Sequence, residues 1–326
     1  MNFKRYTVIA PALAALLALA AGCTTGPGVT GGFDRDFTVT GHNRLEVSTA
    51  AGDINVTGSA DGKIHVHGQA HVSGSDVDDA RKRLSDLTSN PPIEQTADGV
   101  RIGKDLMHLR NTTVSYDIQV PRDTEVVCTS ASGSEVVRNV QGPLKMVSVS
   151  GSVTAEGVAG EAQLSSISGS VNAANMGDIV RATSVTGDIN VNGAKGDVRA
   201  KLQSGSIKIT NPGARVEADD TSGNIYVEGA TSDAKAHTIS GRVTVKGNPS
   251  TSDLWDLKTT SGTVDIGIAA GSNFHLLAES GSGEIRADVP IMIEEQGKHS
   301  MRAQIGSGGG RVEVHTLSGE IHLSPF

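Results

Sequence analysis

The sequence predicts an all-β chain folded as a single-stranded parallel β-solenoid or β-helix. Its coils are 18 residues long with two short strands each, and one short helix lies near the N-terminal end. Three observations carry this. Glycines preceded by Ser or Thr recur at Gly133, Gly151, Gly169, Gly187, Gly205, Gly223 and Gly241, each step being 18 residues, and a fixed period marks a stacked repeat. Apolar residues hold fixed offsets from those glycines. Aromatic residues are only 3% of the chain while glycine reaches 40 of 326, so the core has to be narrow and filled by Val, Ile, Leu and Ala rather than by rings.

The glycine series continues at Gly262 and Gly283 and closes at Gly319; these ten positions are the expected structural turns. Two residues after the glycine stand Val153, Val171, Ile189, Ile207, Ile225, Val243, Val264, Ile285 and Ile321, with Ala155 to Leu323 four residues after. Between them lie Thr154, Asn172, Asn190, Lys208, Tyr226 and Thr244. Apolar, polar, apolar at period two is a half-buried strand. A second strand precedes the glycine, with Leu144 and Met146, through to Val312 and Val314, seven and five residues before it. Cys128 falls in the second of these columns and reads as a small buried hydrophobe. Antiparallel hairpins would leave one apolar face uncovered, whereas a coil closes two faces over a shared core. About ten coils stacked at roughly 4.8 Å each give a rod of about 50 Å. At each corner the glycine turns the chain, and Ser150 and its equivalents are expected to bond to backbone or to the next coil's serine.

The stretch before the repeat divides by pattern. Residues 1–22 carry Lys4 and Arg5, an apolar run from Tyr6 to Ala21 and then Gly22, the layout of an export signal. Residues 23–36, TTGPGVTGGFDRD after Cys23, predict a flexible tether. Residues 37–125 form an N-terminal β region in which Leu45, Val47, Ile54 and Val56 frame Gly52 as in the later coils. A capping helix is predicted over 75–90, with Ser75 and Asp78 as a capping box and Val77, Ala80, Leu84 and Leu87 on one face. Residues 126–326 are the solenoid proper.

Charge and motifs exclude several functions. The net charge is −8, and losing residues 1–22 would make it two units more negative, which argues against nucleic acid as a partner. No catalytic residue, cofactor or metal ligand set is predicted. Ser or Thr stands directly before Gly at all ten corner positions, where a serine hydrolase needs one Ser on a strand-to-helix elbow. His65, His67 and His71 alternate with apolar residues and face outward without a fixed further ligand. The insertion 289–310 contains Ile291, Met292, Ile293, Glu294 and Glu295, apolar and acidic together, and is the candidate partner loop.

Two resemblances add expectations. Leu19-Ala20-Ala21-Gly22-Cys23 resembles a bacterial lipobox, which implies lipidation of Cys23 and attachment to a membrane; Thr24 rather than Asp after it implies the outer membrane. The strand VSYDIQVPRDTEV from Val114 to Val126, the serial SGSV, TGDI and SGNI units and the closing GGGRVEVHTLSGEIHL resemble the bacterial domain-of-unknown-function family 4097. Its members are often labelled as candidate adhesins. The resemblance implies a β-strand-repeat fold in an envelope setting and supplies no catalytic residues. The expected function is therefore a lipid-anchored, non-enzymatic binding or scaffolding module whose partner is an envelope protein or a surface glycan. Two alternatives stand beside it. One is a carbohydrate-active β-helix protein with Asp219, Asp220 and Arg242 in a groove; the other is an envelope-stress accessory protein that binds a membrane partner.

Overall fold

The computed structural model describes residues 27–39, 41, 43–103 and 111–326, so Cys23 and the export signal lie outside the described residues. The chain is a β-solenoid. Each rung contributes one strand to each of two parallel sheets, and neighbouring rungs pair in register at 18-residue offsets: Leu144 with Ala162, Val153 with Val171, Ala162 with Val180. The apolar columns close between the sheets, where Val153, Val171, Ile189 and Ile207 face Leu144, Ala162, Val180 and Val198, all fully buried.

The corner is built on close approach. Gly151 has φ of 149°, in the region that favours glycine, and a Cβ there would sit 2.0 Å from the carbonyl oxygen of Gly133 in the rung before. The same clash recurs up the corner to Gly319. The hydroxyl that serves this corner is not the one expected: Ser150 is exposed, and the buried hydroxyl is Ser148, the third inward residue of the strand after Leu144 and Met146. Its equivalents Ser184, Thr259 and Thr316 donate to the carbonyls of Gly169, Gly241 and Gly262 at 3.3, 3.3 and 3.2 Å. The opposite corner alternates Asn139, Gly157, Asn175, Gly193, Asn211 and Gly229, all left-handed with φ between 52° and 82°. Asparagine tolerates that conformation because its short amide can bond locally. On the next rung the amide oxygen lies 3.0 to 3.6 Å from where a glycine's Cβ would stand, so Asn and Gly take turns.

The rungs do not stack in chain order, contrary to a simple sequential coil. Rung 44–59 lies between the end rung 99–121 and rung 125–138. At the other end, rung 310–325 lies between rung 254–268 and the end rung 274–287. Each detour supplies strands that cap an end. Ser300–Ile305 pairs antiparallel with Phe274–Ser280, and Met292–Gln296 pairs beyond it. At the N-terminal end Lys63–Ser73 pairs antiparallel with Thr112–Pro121.

The expected tether is a strand over most of its length. Gly28–Thr38 pairs antiparallel with Lys63–Ser73. It is held because Phe33 packs over Gly68, where any Cβ would strike the ring, and meets Tyr116 edge-on at 6.4 Å between centroids. Outward, Asp36 and Asp34 pair with His65 and His67 at 2.7 and 2.8 Å. His65 also reaches Asp61, and these carboxylates hold its pKa above the usual imidazole range. The helix, Val77–Ser89, packs on these two strands through Ala80, Leu84 and Leu87. Asp76 caps it by accepting from the Asp79 amide at 2.8 Å, so the cap is one residue past Ser75. Arg35 donates to the carbonyls of Thr88 and Ser89 at the far end.

One core residue breaks the columns. Glu135, two residues after Gly133, occupies the place held by Ile54 and Val153 in the rungs on either side. It is 0% exposed, and neither carboxylate oxygen has a hydrogen-bond partner; the neighbouring corner hydroxyls of Ser130 and Ser148 are likewise unpartnered. Burial pushes its pKa up to about 8.

Two stability predictions arise here. Gly151→Val should lower the melting temperature strongly, and Asn175→Ala should cost about 1–2 kcal/mol while Asn175→Gly costs little; parent-like denaturant midpoints for Gly151→Val and Asn175→Ala would refute the two corner assignments. For Glu135, the folded chain keeps a proton that the unfolded chain releases between pH 4.5 and about 8, so stability falls as pH rises through that window. The loss approaches about 5 kcal/mol. Glu135→Val should raise stability far more at pH 8 than at pH 5, and an unchanged pH dependence of the denaturation midpoint would show that Glu135 is not the group responsible.

Candidate functional site

The solenoid presents two outer sheet faces, and they differ in chemistry. On the first sheet, which carries the strands before each glycine, the outward columns are charged and mutually paired. Lys235 reaches Glu217 at 3.0 Å and Asp219 at 3.4 Å; Arg199 approaches Glu217 at 3.7 Å; Lys258 and His237 reach Asp256 at 2.8 and 3.0 Å. Arg181 pairs with Glu161. The Lys235 ammonium holds the Glu217 carboxyl below its usual range, and burial lowers the His237 pKa. Such a ladder satisfies most of its own charges, with Lys145 and Lys201 the outward lysines that form no ion pair among the described residues.

On the second sheet the outward columns carry no charge at the two rungs of Asn172 and Asn190. Between Thr154 and Thr244 they hold Asn172, Asn190, Asn192 and Thr210, with Asn190 donating to Asn172 at 3.1 Å and Thr210 to Asn192 at 3.0 Å. In the same columns stand Lys208, Tyr226 and Lys246. The ammoniums of Lys208 and Lys246 lie 6.0 and 5.6 Å from the Tyr226 ring centroid, and Lys246 lies 5.7 Å from that of Phe326. The Tyr226 hydroxyl donates to Glu228, which raises its pKa. This amide and hydroxyl strip with its lysine–aromatic end is the candidate site.

The residues singled out from sequence are dispersed. Asp219 lies in the paired ladder of the first face, Asp220 is turned into the corner and buried, and Arg242 pairs with Asp265 at 3.2 Å beside the second sheet. No groove unites them. The candidate partner loop is an edge strand rather than a loop: Met292–Gln296 is exposed throughout and is bulged between Ile293 and Glu295. Beside it, Glu279, His299, Ser300 and His315 line a shallow, open concavity of about 400 Å³. His299 Nδ1 donates to the Gly283 carbonyl at 3.0 Å and His315 Nδ1 pairs with Glu279 at 3.2 Å. Among the described residues no group of three or more His, Cys, Asp or Glu side chains is placed to hold a metal ion.

Two features escape the sequence pattern as read above. Glu135 was signalled by an acid in an otherwise Val/Ile column. The lysine–aromatic cluster had a weaker signal, since its members come from two adjacent columns and from the chain's last residue.

A cell adhesion protein candidate from Clostridium sporogenes is 11% identical, with 91% of this chain and 100% of that chain covered and a TM-score of 0.21. A candidate adhesin from Bacteroides fragilis is 15% identical, with 90% and 96% covered and a TM-score of 0.31. No curated protein matches. The family model described as Toastrack DUF4097 matches residues 100–228 and again 216–324, which together span the solenoid. The chain belongs to the Toastrack family, domain of unknown function 4097.

Proposed function

We propose that the chain is a non-enzymatic, adhesin-like binding module of the bacterial cell envelope, lipid-anchored through Cys23, that lays the outer face of its second sheet along an extended surface ligand. The observation that carries this is the contrast between the faces. Most first-sheet charges pair internally, Lys145 and Lys201 excepted, whereas the second-sheet strip sets two unpaired lysines around an aromatic ring beside amides and hydroxyls on a flat surface several rungs long. Flat, repetitive faces suit the binding of long partners, while turnover needs convergent groups in a concave site. The dispersal of Asp219, Asp220 and Arg242 disfavours the carbohydrate-active alternative. Anchoring rests on the Leu19–Cys23 pattern, and with Thr24 it favours the outer membrane.

A second reading has its own observation. The edge strand Met292–Gln296 exposes backbone groups, with Met292 63% exposed, and open edges accept strands from partner proteins. This reading makes the chain an accessory that docks an envelope protein.

Fractionation and binding test these together. Cys23→Ser should move the protein from the membrane to the soluble fraction; unchanged processing and attachment would remove the anchor from the proposal. The mature protein should bind extracted envelope polysaccharide with loss on second-sheet substitutions such as Asn190→Ala. Binding to envelope proteins alone, abolished by Ile293→Pro, would replace the first reading with the second.

A further inference from the structure

The second-sheet strip is uniform except at one end, where Lys208, Tyr226, Lys246 and Phe326 gather. The gathering is unusual for this chain. Only 3% of its residues are aromatic, and in the described solenoid Trp255 and Phe274 are buried in the core. Tyr226 and Phe326 are instead on the outside, and both contact Lys246. Phe326 is 54% exposed.

The positions are built by register. Lys208 pairs with Tyr226 in the same outward column, and Lys246 follows Glu228 in the next column, so the two lysines flank the ring from the rungs before and after it. Neither ammonium forms an ion pair among the described residues. Glu228, the nearest acid by register, is engaged by the Tyr226 hydroxyl. The next position in the Lys246 column is Gly267. A Cβ there would sit 2.8 Å from Lys246 Cγ and 3.1 Å from Phe326 Cβ, so the glycine leaves the space in which the Lys246 stem and Phe326 lie. The Phe326 amide donates to the Ile268 carbonyl at 3.1 Å, which fixes the last residue against this rung.

Resting on the second-sheet reading above, we infer that Lys208, Tyr226, Lys246 and Phe326 form the anchor subsite for a carboxylated sugar residue of an acidic polysaccharide. The two ammoniums, neither in an ion pair, keep the cluster net positive even with Glu228 counted, and so answer the charge of the ligand in a chain that is otherwise net acidic. The exposed Phe326 ring offers an apolar surface for a sugar ring, and the Asn and Thr strip extends from the anchor along the rod to take hydroxyls of further sugar residues. A neutral glycan would leave the lysines unanswered, and a bare anion would not use the ring or the strip.

The test uses the full mature chain with fluorescent oligogalacturonate, its methyl-esterified counterpart, and vesicles of anionic phospholipid. Lys208→Gln with Lys246→Gln should weaken oligogalacturonate binding at least about tenfold, as expected when charge-assisted hydrogen bonds are lost. The double variant should also flatten the salt dependence, while Lys201→Gln on the first face should change neither. Phe326→Ala should weaken binding with the salt dependence retained. Melting curves matching the parent establish that the variants are folded. Equal affinity for the esterified polymer, or no effect of the double variant, overturns the anchor while leaving the second-sheet reading intact. Lysine-dependent binding to the vesicles without binding to the polymer overturns the sugar assignment in favour of a lipid headgroup. If the double variant still binds and only Asn190→Ala abolishes binding, the strip stands without this anchor; if the parent binds neither this polymer nor envelope polysaccharide, both fail together.

Discussion

The structure depends on the contact between successive glycine corners. With a Cβ position only 2.0 Å from the preceding carbonyl at Gly151, no side chain fits, and each rung has to place a glycine directly over the last one. That constraint sets the register of each rung on the one before. Once the register is set, parallel pairing puts like positions into columns, and every column becomes a single physical environment. The core columns select small branched residues. The third inward position holds Ser or Thr at most rungs, with Leu202 and Asp220 the exceptions, because a hydroxyl there can reach the corner carbonyl of the neighbouring rung, as Thr316 does with Gly262.

The ends need a different solution, since a terminal rung would expose both apolar core and unpaired backbone. The chain solves this in the same way twice. At each end an outer rung carries antiparallel strands and an inner rung fills the gap behind it, the inner rung coming first in the chain at the N-terminal end and last at the C-terminal end. Rungs 44–59 and 310–325 are therefore each gripped on both sides by segments distant in sequence. At the N-terminal end the helix and the strand Gly28–Thr38 add a further layer, with Phe33 plugged into the space over Gly68. The remaining edges are short or charged: Ile285–Ala287 has three residues, and Met292–Gln296 carries two glutamates and a bulge.

Much of this was legible in the sequence because columns are visible without coordinates. The period, the two strands per coil, the burial of Cys128 and the glycine corner all follow from spacing. The stacking order does not. Gly262, Gly283 and Gly319 carry the same offsets, so any of them satisfies the register of any other, and only the length and path of the insertions choose the order. Ser148 and not Ser150 was available from parity, since Leu144, Met146 and Ser148 share one face; the pull of the Ser-Gly dipeptide obscured it. Residues 28–36 read as a tether because glycines and charges dominate, yet one phenylalanine over one glycine, together with paired Asp and His residues, is enough to hold a strand. The Asn/Gly alternation at the second corner repeats every 36 residues, twice the period sought, and a search at 18 passes over it.

The column rule also explains where function has room to act. A position in a stacked column is constrained by its neighbours above and below, so a residue that departs from its column needs a cause outside the packing. Glu135 departs inward, at the rung where the N-terminal detour rejoins the stack, and places an unpartnered acid in that junction. Lys208, Tyr226 and Lys246 depart outward, replacing Asn and Thr on the strip with two unpaired charges around a ring. The paired ladder on the first face shows that this fold readily neutralises outward charge by placing the opposite sign one rung away, as Lys235 does with Glu217. Around Lys246 the opposite sign is also one rung away, at Glu228, yet no ion pair forms and that carboxylate takes the Tyr226 hydroxyl instead; with Gly267 leaving space for Phe326 beside them, packing is an insufficient account of the cluster and a ligand the simpler one.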